Sequence, residues 1–469
     1  MQPNALNALA IALSLAIPGY SLAEPAQVLP NELQQELRRM QASMAQLQAR
    51  MQELEAQLKT AAPSAAQWGM TPEQARQLGR ITVKTEALEE WNESLGYKGL
   101  KISGMMDPVY LYSSGQNRAG FQFLNAGDGG EYAIDNGSFG MAMLDFQKEL
   151  DGGSRWRLTL APNRGGGGIA IDGKSIIHEA SVSLPLGDLQ TRLIAGQIPD
   201  WSGHEPMQAT LNKFITHNLL FDFTIPAVYT GAGLELARGK WLIKGLLANV
   251  NSSKRQAGEK TPALVYRIDY AKGEFSGFGL AGLHGRLPNY RASDPSGNPI
   301  SGQAYDSRDS WAHTLEIDGY FIRGDWTLSG QLGGGMQKRA AISADPLSGE
   351  LRDSRWWGIS TLAAYKLSPK LEALLRADYL NNSRHGGGAL GYSFADGRNG
   401  LGPAPGGDPE RGADRYALAL GLRYAWDANT LFKLEYRLDR ASLPVFLDLS
   451  DGQYRRSNQI FGSSLVLSF

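Results

Sequence analysis

The sequence predicts an all-β transmembrane barrel of about 16 antiparallel strands, preceded by an α-helical coiled coil. Three observations carry this. From about Tyr97 the chain alternates apolar with polar or small residues at period two and never returns to a helical period. The connections between the alternating segments are themselves alternately short and long, as in barrels with short periplasmic turns and longer extracellular loops. Aromatic residues gather beside the short turns: Trp156, Trp241, Tyr270, Phe321, Trp326, Tyr365, Trp426 and Phe432. That placement forms a girdle at one bilayer interface.

Composition agrees. The chain has 469 residues, 56 glycines, no cysteine and a net charge of -1. Near-neutrality argues against nucleic acid as a partner. Without cysteine there are no disulfides, thiolate metal sites or thiol nucleophiles. The body of the chain lacks the run of about 18 apolar residues that a membrane helix needs, whereas a barrel strand needs an apolar residue only at every second position.

The first element, residues 1–23, reads as a secretory signal. Ala8 to Ile17 is a short apolar run, Pro18-Gly19 breaks it, and Ser21-Leu22-Ala23 offers small residues for cleavage before Glu24. It departs from the pattern in one respect, since Met1 to Asn7 carries no Lys or Arg.

Residues 24–60 form the stalk. Leu33, Leu37, Met40, Met44, Leu47, Met51, Leu54 and Leu58 are spaced alternately by four and three. A 3.5-residue repeat imposes a left-handed coiled coil, with Leu37, Met44, Met51 and Leu58 at a and the others at d. Asn31 and Gln34 can cap its start, and Arg50 can pair with Glu55 of a parallel neighbour. Leu and Met at a leave the strand number open. Residues 61–96 read as a linker, Ala-rich from Thr60 to Gln67, with a short helix able to open at Thr71-Pro72-Glu73-Gln74.

The barrel occupies residues 97–469. Seven short turns are expected at 150–153, 185–188, 238–239, 272–274, 324–325, 368–369 and 427–429. Eight long connections are expected near 113–137, 162–175, 199–227, 251–262, 288–310, 339–354, 381–412 and 441–455. An even strand number leaves both termini on the periplasmic side, where the stalk can stand. In the last strand Phe461, Leu465, Leu467 and Phe469 share one register. A terminal aromatic there resembles the signal by which Gram-negative barrels are recognised for assembly. Charged residues share the opposite register elsewhere, and Arg155, Arg157, Arg192, Arg267, Arg376, Arg423 and Arg437 are the basic candidates for the lumen.

Motifs that suggest chemistry dissolve on inspection. Residues 168–175 satisfy the nucleotide P-loop spacing, but an alternating strand follows where that motif needs a helix. Six histidines are scattered without metal spacing, and no nucleophile elbow stands out. His313 beside Trp311 reads as an interface residue. No cofactor, metal or catalysis is expected. The glycine- and proline-rich stretch 381–412 reads as a mobile surface loop.

The connection 199–227 carries the functional weight. It follows the fifth strand and holds Phe214, Ile215, Leu219, Leu220, Phe221, Phe223 and Ile225. A loop in water does not need this apolar load, whereas one folded into the lumen does. Its Asp200, Glu205, Lys213 and Asp222 would then meet the wall arginines. Asp222, between Phe221 and Phe223, is expected on the lumen face. The segment Ile215 to Phe223, running on to Tyr229-Thr230-Gly231, resembles the OmpL-like β-barrel porins of proteobacteria. The stalk resembles the amino-terminal extension of trimeric sugar porins. The resemblance implies a water-filled homotrimeric pore in the outer membrane, with the stalk in the periplasm, passing small hydrophilic solutes past a constriction. Two rival readings share the fold: a structural barrel gripping peptidoglycan or a periplasmic protein through the stalk, and an outer-membrane hydrolase.

Overall fold

Turns rich in Gly, Asp, Ser and Asn punctuate the alternating segments, and the chain folds back on itself at each. The computed structural model describes residues 97–124, 140–162, 176–253, 260–289, 309–390, 397 and 399–469, with 42, 45, 46, 48–53, 56, 77, 80–84, 86 and 87 before them. The chain divides into two units, Met1–Lys98 and Gly99–Phe469. In the first, the described residues from 42 to 56 and from 77 to 87 are helical. Met51 is the one heptad residue among them; Leu33, Leu37, Met40, Met44, Leu47, Leu54 and Leu58 lie outside the described residues, as does the signal sequence.

The second unit is a closed antiparallel barrel. Its strands are β1 (Leu100–Met106, resuming as Val109–Ser113), β2 (Arg118–Gln122, resuming as Ala142–Glu149), β3 (Arg155–Leu160), β4 (Ile177–Leu186), β5 (Asp188–Pro199), β6 (Val228–Arg238), β7 (Trp241–Val250) and β8 (Ala263–Gly273). They continue as β9 (Ser276–Pro288), β10 (Asp309–Arg323), β11 (Trp326–Gln337), β12 (Ser354–Lys366), β13 (Leu371–Asn381), β14 (Arg415–Ala425), β15 (Thr430–Ala441) and β16 (Ser457–Ser468). Each pairs with the next, and β16 closes the ring on β1. Eighteen segments therefore make sixteen staves, because two staves are interrupted. β1 breaks at Asp107-Pro108, where Pro has no N–H to give the ladder. β2 pairs with both halves of β1, and between Gln122 and Ala142 it passes 19 residues while β1 passes two.

All seven short turns fall where the alternation places them. The first long connection does not: a tight turn at 114–117 joins β1 to β2, and the interruption of β2 after Gln122 takes up the remaining length. Counting apolar stretches cannot separate a long loop from a short turn followed by a break within a strand.

The register also falls as read. Leu375, Leu418, Leu420, Phe461, Leu465 and Leu467 are exposed, while Arg376, Ala417, Ala419, Ile460, Ser464 and Val466 are buried. A barrel with its charges inside and its leucines outside has lipid for its outer solvent. Trp241 packs against Tyr270 and Trp326 against Tyr365 in the turn-side girdle, each pair tilted with ring centroids 4.7 Å apart. Trp357, Tyr379 and Tyr416 form a second aromatic row at the loop end, with centroids 5.2 and 5.0 Å apart. Trp311 and Phe321 stand at opposite ends of β10, about 33 Å apart along the strand at about 3.3 Å per residue. A tilt of about 40° makes that about 25 Å of height, the thickness of an outer-membrane apolar band.

Candidate functional site

The connection between β5 and β6, residues 200–227, is built around one short helix, α1 (Leu219–Thr224). Asn218 starts it: its side-chain oxygen accepts from the N–H groups of Leu220 and Phe221, both at 2.9 Å. Its apolar face buries Leu219, Leu220 and Phe223 against β11 to β14. The wall makes room for it. A Cβ at Gly421 would stand 2.8 Å from the Phe214 ring, so glycine there lets the connection lie directly on β14.

Inward charges of β13 and β15 bind the connection's main chain. Arg376 donates to the carbonyl of Thr216 at 2.6 Å and to that of His217 at 2.8 Å, and pairs with Glu205 at 3.2 Å. Glu435 accepts from the N–H groups of Ile215 and Thr216 at 2.7 and 2.9 Å. Arg437 donates to the carbonyl of His217 at 2.7 Å, and Lys433 to those of Ala209 and Phe214 at 2.7 and 3.0 Å. Lys213 reaches Glu372 at 2.7 Å, which Arg423 also approaches at 3.6 Å. Main-chain groups buried away from water must find partners, and charged partners make the stronger bonds.

This places the predicted residues in three groups. Arg376, Arg437 and Asp222 are fully buried under the connection. Asp222 faces Arg437 at 3.5 Å and not the lumen water. The expectation for it fails because 219–224 is helical, so alternation about Phe221 and Phe223 does not apply. Arg192 is also buried, donating to the carbonyl of Gly153 at 2.6 Å and holding the turn before β3. Arg155, Arg157 and Arg423 keep part of their side chains in the open, paired with Glu149, with Asp145 and Glu179, and with Glu372. Arg267 bridges Asp269 at 2.8 Å and Asp318 at 2.6 Å.

Two lumen features lay beyond sequence reasoning. The first is an apolar core on the loop side. Leu246, Val250, Val265, Leu283, Leu287, Trp356 and Leu380 of the inward register pack with Leu219 and Phe223 of α1 and with Ala389, Leu390 and Leu401. Arg415 lies between Phe223 and Phe446, 5.4 and 4.6 Å from their rings. Of 381–412, residues 386–390 and 399–402 are thus packed inside, while 405–409 are exposed. Adjacent apolar pairs such as Leu246-Leu247 and Leu264-Val265 were the signal, since both faces of the strand are apolar there. The second is a cavity of about 460 Å³ that borders this core at Ile194, Ile198 and Trp201 and is lined further by Lys101, Arg157, Glu179, Glu235 and Lys244. Lys244 pairs with Glu235 at 3.5 Å and sits 5.7 Å over the Trp201 ring.

Electrostatics at the connection follow from burial. Burial pushes Asp200 up to about 6, against hydrogen bonds from Tyr229 and Ser202 that favour its charged form. Burial also raises Glu205, but Arg376 beside it outweighs this and holds it below the usual carboxylate range. Burial lowers Lys213 more than Glu372 raises it. Among the described residues no cluster of three or more His, Asp or Glu could hold a metal ion.

At the terminus, Phe469 exchanges main-chain hydrogen bonds with Gly104 at 3.1 and 3.2 Å, and its ring is exposed. The P-loop spacing at 168–175 lies outside the described residues.

A protein-family model described as a protein of unknown function (DUF3138) matches residues 5–469. No curated protein matches the chain. Among solved structures, the chain is similar to outer-membrane OmpT of Vibrio cholerae at 10% identity, covering 79% of this chain and 97% of that one, with a TM-score of 0.49. It is also similar to the anion-selective porin from Comamonas acidovorans at 11% identity, 79% and 99% coverage and a TM-score of 0.49. For OmpF of Salmonella typhi the values are 10%, 79% and 97%, and 0.48. The fold assignment rests on the strand pairing above.

Proposed function

The chain belongs to that family, and we propose that it is an outer-membrane porin through which small hydrophilic solutes and ions diffuse passively, without catalysis. The observation that carries this reading is the connection 200–227. It is tied by its main chain to inward charges of β13 and β15, while the inward register of β1 to β7 keeps a polar cavity beside it. A connection held across a barrel in this way narrows the passage to a crescent. The charges bordering that crescent are Lys101, Arg157, Glu179, Glu235 and Lys244, with Asp200 one residue before the lining Trp201. Selectivity then arises from width and from these charges.

The heptad run 33–58 supports a homo-oligomer joined by a periplasmic stalk, with the linker 61–96 between stalk and barrel, and the trimer is our reading of its resemblance to trimeric sugar porins. The exposed Phe469 in its lipid-facing register supports an assembly role for the terminus.

The test is conductance of the full chain in a planar bilayer. Removing part of 206–217 should enlarge the single-channel current. A silent parental protein sinks the porin reading. It would favour the second reading, a structural barrel anchored through its stalk, which the apolar filling of the loop-side lumen also favours.

A further inference from the structure

The outward register of β8 to β12 is apolar through the row Ile268, Leu280, Ile317 and Leu332, and towards the loop end it turns polar and basic. Tyr266 lies across Gly282, where a Cβ would stand 2.3 Å from the Tyr266 hydroxyl. Its hydroxyl meets Nε2 of His284 at 3.2 Å. Nδ1 of His284 meets Nδ1 of His313 at 3.1 Å. The His313 ring runs nearly parallel to Trp311, with 10° between planes, and Arg286 stands over Trp311 at 5.9 Å. Arg355 stands two strands on from His313, opposite Met336, about 10 Å away at about 4.8 Å per strand.

Two facts set this patch apart. Leu264 shares the row of His284 and His313 and is exposed, so the patch faces out of the barrel. Among the described residues Arg286 and Arg355 also form no ion pair, Arg355 acting on Asp353 only through space, whereas the inward arginines of β3, β8, β13, β14 and β15 are paired. Unpaired guanidinium groups at a membrane interface call for an anionic partner, and planar donors suit phosphate oxygens.

We propose that this patch seats the phosphate headgroup of a phosphorylated lipid in the loop-side leaflet. Arg286 and Arg355 hold phosphate oxygens, the tyrosine-histidine chain donates to the headgroup, and the acyl chains lie along Leu264, Leu315 and Leu332. The inference rests on the barrel's place in a membrane and not on conduction.

The full-length protein in mild detergent is titrated, under native mass spectrometry, with an acylated bis-phosphorylated diglucosamine lipid, with phosphatidylethanolamine and with inorganic phosphate. The wild type should retain the bis-phosphorylated lipid preferentially. R286Q/R355Q should retain it about tenfold less or weaker still, since each arginine supplies charge-assisted bonds. R323Q, on the outward register at the turn end, should bind as the wild type does. Heat-modifiable migration checks that the variants are assembled, and R286Q alone serves if the double variant is not. Equal retention by R286Q and the wild type, no preference over phosphatidylethanolamine, or displacement by inorganic phosphate alone would each overturn the proposal.

Discussion

The two sides of the lumen are built from the same alternating strands and do opposite things. On the side of β13 to β15 the inward charges hold the connection 200–227, and inward apolar residues of β7 to β14 pack with α1 and the loops above, while a cavity of about 930 Å³ stays open beside the connection against Arg267, Asp318 and Ser329 of β8 to β11. On the side of β1 to β7 the inward charges pair with one another across the wall, and a cavity remains beside them. Charge inside a barrel is therefore no measure of pore lining. Arg376 and Arg157 look alike in sequence, yet the first is wholly buried and the second keeps 39% of its side chain exposed.

This contrast can be broken most forcefully at Arg376. Arg376→Met should strand Glu205, Asp378 and Glu435 without their cation and remove two donors from the connection. Removing one partner of a buried pair costs about 3–5 kcal/mol. We expect a lower guanidinium midpoint, faster proteolysis at Lys213 and a larger conductance. An unchanged midpoint would mean that the connection is held elsewhere. A milder disturbance on the same side is Asn218→Ala. It removes the cap of α1 and should cost about 1 kcal/mol, read as a small midpoint shift with conductance nearly kept.

On the open side the expected effects are on selectivity. Lys244→Gln should change stability by less than about 0.5 kcal/mol and move the reversal potential in a salt gradient towards cations. A large stability loss would place Lys244 with the filled side. The smallest effect expected is that of pH. Asp200 takes up a proton as pH falls through about 6, and losing that negative charge favours anions. The reversal potential should therefore drift towards anion preference between pH 7 and 5, and Asp200→Asn should flatten the drift.

Much of this was legible before any coordinates. Period two fixed the staves because lipid and lumen demand opposite residues on alternate positions, and the apolar load of 199–227 singled out the connection whose main chain bonds to Arg376, Glu435 and Arg437. Three things were not legible, each for a physical reason. Asp222 alternates with two phenylalanines by accident, because six residues are too few to tell a helix from a strand by period alone. The interruption of β2 sets 19 residues against two of β1, and a long loop or a break within a strand leaves the same gap in the alternation. His284 and His313 are 29 positions apart and meet only because β9 and β10 pair in register.

The absence of cysteine allows the most direct test of the contrast between the two sides. Ser181→Cys places a thiol on the cavity side, and Ala417→Cys places one in the filled core. Single channels of each are recorded before and after a charged, water-soluble thiol reagent. A crescent passage along β1 to β7 predicts a lowered current through the Ser181→Cys channel and no change through Ala417→Cys. Block through Ala417→Cys with Ser181→Cys unaffected, or no current through either channel before the reagent, would contradict it.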